Sequence, residues 1–183
     1  MNTKATPSPA FQKAVLFILP HEEDFLRGHW GDENFVIAEH VPGDAGGVTK
    51  YGIDASSHPG VDVADLTREQ AITIYWQEWN FRDMDSLPER LAIACFDVWV
   101  NGGFAIKWLQ TALNNFGASL VVDGDLGSKT IAAANACDQD AVIRFFLNER
   151  DARFERLGKY PALEQFLAGW EQRDADLRKY LLA

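Results

Sequence analysis

Gly43-Asp44-Ala45-Gly46-Gly47-Val48-Thr49-Lys50-Tyr51-Gly52-Ile53 holds four glycines in eleven residues, too many for the interior of a helix or a strand. Each glycine marks backbone that turns sharply or lies close to another group. Beyond Lys50 and Tyr51, the polar side chains of the stretch are Asp44 and Thr49. The Gly46-Gly47 pair leaves backbone bare enough for a ligand to approach. A purely local reading has Asp44 capping a turn and Thr49 bonding backbone. Upstream, Phe11, Ala14, Val15 and Ile18 recur at helical spacing and Pro20 ends the pattern. Glu22 then stands where an apolar helix gives way to irregular chain.

Outward from this segment the chain reads as a succession of helices. Residues 26–60 are irregular, with Phe35-Val36-Ile37-Ala38 as the candidate for a short strand. Thr67 with Gln70 forms a capping box ahead of a helix carrying Ala71, Ile72, Tyr75, Trp76 and Trp79. Ser86 and Glu89, with Pro88 between them, open the next. That helix is apolar on most sides except at Asp97, which marks it as the central buried one. Asp97 and Asn101 lie one turn apart. Buried polar groups need partners, so this pair is expected to tie the helix to a loop, with cleft lining as the other reading.

After the Asn101-Gly102-Gly103 break, Ala105, Trp108, Leu109, Ala112, Leu113 and Phe116 give another apolar stripe. Asp123-Gly124-Asp125-Leu126-Gly127 lacks the twelfth-position ligand of a calcium loop and reads as a turn. Asp138 caps a helix that stops at Gly158, and a last helix carries Leu163 through Leu181. The fold class is mainly α, in two lobes divided near Gly102-Gly103, with a small irregular or β segment beside the glycine-rich stretch.

At 183 residues the chain is long enough for one sizeable core or two lobes. A net charge of −10 without any basic run argues against nucleic acid or an anionic membrane as partner. A polysaccharide stays open, because one locally neutral cleft is enough for it. Cys95 and Cys137 read as reduced thiols, and they do not cluster with His21, His29, His40 or His58, so neither a disulfide framework nor a metal is expected. Residues 1–10 read as a flexible N-terminus without the apolar core of a signal peptide, and no apolar run approaches a membrane span. The chain is therefore expected to start in a cytoplasm and to need another machine to cross a membrane.

Glycoside hydrolysis needs an acid to protonate the leaving oxygen and a second polar group to handle water or the developing cation. A partly apolar site helps such an acid keep its proton. Glu22 fits that demand, although the run Glu22-Glu23-Asp24 also reads as a solvated acidic turn. His21 reads either as a partner of Glu22 or as incidental.

With these residues in view, the chain resembles the glycoside hydrolase 108 family of phage and bacterial N-acetylmuramidases. That family has an apolar helix ending in His-Glu-Gly-Gly-Tyr, then an Asp-Pro-Gly-Gly-x-Thr-x-x-Gly-Ile segment. Residues 44–53 match the second motif with Ala45 in place of proline. Phe96-Asp97-x-x-Val100-Asn101-Gly102-Gly103, Leu109-Gln110-x-x-Leu113 and Asp123-Gly124-x-x-Gly127-x-x-Thr130 resemble the peptidoglycan-binding region of these enzymes. The likeness spans roughly residues 11–180.

The resemblance implies a lysozyme-like helical domain with a catalytic region at 11–97. A helical peptidoglycan-binding region, 98–183, would pack in the same globule. It implies cofactor-free cleavage of the bond between N-acetylmuramic acid and N-acetylglucosamine in bacterial glycan strands, by a monomer. Glu22 would be the general acid, Asp44 and Thr49 would place water or support the cation, and Gly46, Gly47, Tyr51 and Asn101 would contact the glycan. A phage endolysin released through a holin and an effector carried by a secretion system both fit. Two departures stand out. Glu23, Asp24 and Phe25 replace Gly-Gly-Tyr, and an insertion over Arg27–Glu39 brings Asp32, Glu33 and Glu39, any of which could take over a role. The alternatives are a non-catalytic wall-binding protein and a lytic transglycosylase.

Overall fold

The first apolar stripe forms a helix, and that helix does not stop at its proline. α1 runs Pro9–Glu23 with Pro20 inside it. The hydrogen bond that Pro20 deletes would have gone to Leu16, whose side chain is 69% exposed. On that face water can take the orphaned carbonyl. Phe11, Ala14, Val15, Phe17, Ile18 and Leu19 are buried along the opposite side. Passing through Pro20 places Glu22 in the last turn of α1 rather than beyond the helix.

The computed structural model describes residues 6–23, 39–40, 48–161 and 163–183, and the chain divides into two units, Met1–Phe81 and Arg82–Ala183. The proposed strand at 35–38, most of the 27–39 insertion, and Asp44, Gly46 and Gly47 lie outside the described residues.

In the first unit, β1 (Glu39–His40), β2 (Val48–Lys50) and β3 (Ile53–Asp54) make an antiparallel sheet in the order β1-β2-β3. Thr49 pairs with Glu39 on one side and Asp54 on the other, and Lys50 pairs with Ile53. α2 follows at Arg68–Phe81. Its start is the expected capping box: the Thr67 N–H donates to Gln70 Oε1 at 2.8 Å, and the Gln70 N–H donates to Thr67 Oγ1 at 3.2 Å. Ala71, Tyr75 and Trp79 are its buried face. The Phe11 ring of α1 sits 4.9 Å from the Trp76 ring and 5.7 Å from the Trp79 ring, within the range where aromatic pairs attract beyond their burial.

The second unit is built on α3 (Glu89–Val100), buried from Leu91 to Val98. α3 begins directly after Pro88. Ser86 does not cap it: Ser86 belongs to a 3-10 turn, Met84–Ser86, and its hydroxyl donates to Asp83. Around α3 come α4 (Ala105–Asn115), α5 (Ser128–Ala136), α6 (Gln139–Leu157) and α7 (Leu167–Leu182). Asp138 caps α6 by accepting from the N–H groups of Asp140 and Ala141. Gly158 does end α6, but with ordinary right-handed geometry. A Cβ there would lie 2.8 Å from Leu167 Cδ2, so the glycine gives the Leu167 side chain room to pack on this turn and supplies no left-handed geometry.

Asp97 does not tie α3 to a loop. Its carboxylate receives Arg150 Nη1 of α6 at 2.6 Å, and Arg173 of α7 through Nη2 at 2.7 Å and Nε at 3.0 Å. All three side chains are at most 3% exposed. Burial alone would raise the Asp97 carboxyl, yet Arg173 and Arg150 hold it below the usual carboxylate range. Behind this cluster lies Asp174, 3.3 Å from Arg150 and 3.5 Å from Arg178. Burial and the neighbouring Asp151 carboxyl outweigh these arginines and push Asp174 up to about 8.

The segment Asp123–Asp125 is a turn organised by the buried Gln110 of α4. The Gln110 amide donates to Asp123 Oδ1 at 2.7 Å and to the Asp125 carbonyl at 3.1 Å, and it accepts from the Gly124 N–H at 2.9 Å. Cys95, on α3, is fully buried, and burial pushes its thiol far up; Cys137 is half-buried.

Candidate active site

The Lys50–Ile53 pairing leaves two residues, Tyr51 and Gly52, to turn the chain between β2 and β3. Both have positive φ, 54° and 73°. This is the left-handed pair that lets a two-residue turn follow the twist of its strands. Gly52 adopts it freely. Tyr51 pays for it with about 1–2 kcal/mol of steric strain. Two observed contacts offset that cost: the Tyr51 ring is buried, and its carbonyl accepts the Tyr75 hydroxyl of α2 at 2.7 Å. Lys50 anchors the same hairpin outward, with Nζ donating to the Ala64 carbonyl at 3.2 Å.

The bare α-carbon of Gly52 faces the end of α1. A Cβ on Gly52 would stand 2.7 Å from Glu22 Oε2, 2.8 Å from Glu22 Cδ and 2.6 Å from Tyr75 Oη. None of these distances is open to a real methyl group. The turn, the Glu22 carboxyl and the Tyr75 hydroxyl thus converge on one point, fixed by three elements that are far apart in sequence. Glu22 itself is half-buried. Its neighbour His21 is buried against its own helix: the Nδ1–H donates to the Phe17 carbonyl at 2.8 Å, and the two rings are 4.4 Å apart.

Of the residues singled out from sequence, the structure brings Glu22 and the Tyr51-Gly52 turn together. Thr49 is half-buried in the middle of β2, directly across from Asp54, so the two share a face of the sheet. Asp54 is engaged locally: Ser56 Oγ donates to its carboxylate at 2.6 Å and the Ser57 N–H at 2.9 Å. Burial draws this carboxyl upward, but those hydrogen bonds and His58 hold it below its usual range. Asn101 ends α3 in the second unit, with its N–H on the Asp97 carbonyl at 3.1 Å. Sequence reading missed Tyr75, which looked like one more core aromatic on α2. The available signal was its hydroxyl, since a buried phenol requires a partner that phenylalanine would not.

Two family models match. Residues 37–103 match Glycosyl hydrolase 108 and residues 104–175 match a Predicted Peptidoglycan domain. The junction falls just after the Asn101-Gly102-Gly103 break, so α3 belongs to the hydrolase match by sequence and to the second unit by packing. Glu22 lies upstream of both matches, and its carboxyl packs against Gly52 of the matched hydrolase region. No curated protein matches the chain. Among solved structures, that of Brucella abortus SagA is similar, with 26% identity and a TM-score of 0.70 over 94% of this chain and 93% of that one. The mainly helical fold with its small sheet, the two consecutive matches and the likeness to SagA agree: the chain carries a glycosyl hydrolase 108 region followed by a peptidoglycan domain, and it is a peptidoglycan hydrolase.

Proposed function

We propose that this hydrolase is an N-acetylmuramidase, cleaving the bond between N-acetylmuramic acid and N-acetylglucosamine with Glu22 as general acid. The observation that carries this reading is the Gly52 contact. It holds a helix-borne carboxyl against a strained turn of the matched hydrolase region, in a half-buried place within reach of solvent. Strain kept at a defined turn is a mark of functional sites, and a proton donor must be held in place to act on one oxygen. Asp44 and Thr49 then place the attacking water or support the oxocarbenium-like transition state. Gly46, Gly47, Tyr51 and Asn101 contribute to glycan binding, with cleavage assigned to 11–97 and wall binding to 98–183.

In this reading the protein is bacteriolytic, monomeric and without cofactor, and it works either as a phage-type endolysin released through a holin or as an effector carried by a secretion system. Its net charge of −10 supports a partner other than nucleic acid. Among the described residues no helix is long and apolar enough to cross a membrane.

The test is mass spectrometry of peptidoglycan digested by the wild type and by Glu22→Gln. Hydrolysis yields products with reducing N-acetylmuramic acid ends, and the variant is expected to release almost none. Anhydromuramic ends would make the enzyme a lytic transglycosylase, and N-acetylglucosamine reducing ends would make it cut the other bond.

The geometry also makes Gly52 an activity determinant. Gly52→Ala is expected to lower the cleavage rate about 100-fold, the order of loss that a 1 Å misplacement of a catalytic group brings. Stability should fall as well, by about 1–2 kcal/mol for a side chain at this φ and about 1–3 kcal/mol for displacing the groups the methyl overlaps. Reducing-end release and a melting curve on the same sample separate the two effects. A variant with wild-type rate would show that the carboxyl can move aside without consequence.

A further inference from the structure

We infer that Tyr75 is a positioning residue for the acid, acting through the Tyr51-Gly52 turn. The inference rests on the assignment of Glu22 as general acid. Tyr75 is 2% exposed, in the middle of a helix face otherwise made of Ala71 and Trp79. A phenylalanine would fill that core equally well. The hydroxyl is what differs, and it goes to the carbonyl of Tyr51 at 2.7 Å. That carbonyl belongs to a residue held at φ 54°, a conformation a tyrosine rarely adopts. Gly52 favours this turn at its second position, but at its first the favoured residues are asparagine, aspartate and glycine, so the hydrogen bond from Tyr75 supports the one residue of the turn that is strained.

The consequence passes to Glu22 by contact. The α-carbon of Gly52, the next residue, packs so closely that a methyl group would sit within 2.8 Å of the carboxyl carbon and within 2.6 Å of Tyr75 Oη. Tyr75 therefore fixes the turn, and the turn walls one side of the acid. The phenol does not have to touch substrate to matter. It decides where the proton donor can stand.

The test uses Tyr75→Phe alone and combined with Gly52→Ala, with kcat and KM measured on soluble, uncrosslinked glycan strands and expressed per folded molecule. Tyr75→Phe is expected to lower kcat about 10-fold while KM stays within about twofold, since positioning acts on the chemical step. Removing Oη also removes the 2.6 Å clash, so the double variant should lose less than the product of the two single losses. A general fold defect would instead multiply or worsen them.

Wild-type kcat in Tyr75→Phe, a loss confined to KM, losses that simply multiply, or a Tyr75→Phe protein too unfolded to assay would each overturn the proposal, leaving Tyr75 a core residue. Glu22→Gln is assayed alongside. If it keeps its activity, the assignment of the acid fails. If it is inactive while Tyr75→Phe is normal, only the role of Tyr75 fails.

Discussion

Glu22→Gln is expected to reduce glycosidic cleavage by the upper part of roughly 10²- to 10⁴-fold, the range that general acid catalysis supplies. Glutamine keeps the size and reach of the side chain, so it still fits against the bare α-carbon of Gly52. The amide cannot hand a proton to the departing sugar oxygen. Folding and binding to sacculi should therefore survive, and the melting temperature should match the wild type. Reducing-end release per folded molecule measures the loss, and sacculus pull-down measures what is kept. A variant that lyses walls at the wild-type rate would move the role to another carboxylate, and Asp32, Glu33 and Glu39 of the inserted segment would be next to replace.

The largest stability effect lies in the other unit. Asp97→Ala leaves Arg150 and Arg173 buried with their shared counter-ion gone. Breaking one side of a buried ion pair costs about 3–5 kcal/mol, because the charge left behind has given up water for a counter-ion that is gone. For a unit of this size that lowers its melting temperature by more than about 10 °C. Calorimetry checks it, and an unchanged transition would mean that water reaches the two guanidinium groups.

The same cluster sets a pH dependence with two opposite signs. The folded Asp97 carboxyl lies below its ordinary value of 3.8. Its contribution is therefore full above that value and is lost as pH falls through the folded one. Asp174 lies above its ordinary value, at about 8. The folded chain holds a proton there that the unfolded chain releases, so this contribution is full below 3.8 and is lost as pH rises through about 8. Denaturant midpoints across pH should peak on the weakly acidic side, and Asp174→Asn should flatten the alkaline decline while sparing the acidic one.

What could be read from sequence was whatever depends on neighbours a few residues apart. The Thr67–Gln70 box, the Asp138 cap, the apolar stripe of α1 and that of α4 as far as Leu113 are local, and they stand where periodicity put them, whereas Phe116 falls past the end of α4 and is exposed. Pro20 misled because a proline breaks a helix only where its missing hydrogen bond cannot be replaced, and which face meets water is a tertiary fact. Asp97 was visible as a buried acid in need of partners, but those partners lie 53 and 76 residues away. The site shows the same limit. The glycine at 52 announced a turn, yet nothing in its surroundings says that the turn rests on a carboxyl thirty residues upstream or that a tyrosine of α2 holds it there.

The contacts of the first unit close into a ring: Phe11 to Trp79, up α2 to Tyr75, across to the Tyr51-Gly52 turn, onto Glu22, and back along α1 to Phe11. Two sides of that ring are helices, and each residue added to one of them rotates the remainder of the helix by about 100° and advances it about 1.5 Å. A residue inserted between Phe11 and Glu22, or between Tyr75 and Trp79, therefore opens the ring. One inserted among the mostly exposed residues 55–60 of the following connection leaves it closed, because a surface loop absorbs length at little entropic cost. Over evolutionary time, insertions and deletions are free to collect in that connection, while the two helical rulers must keep their residue count.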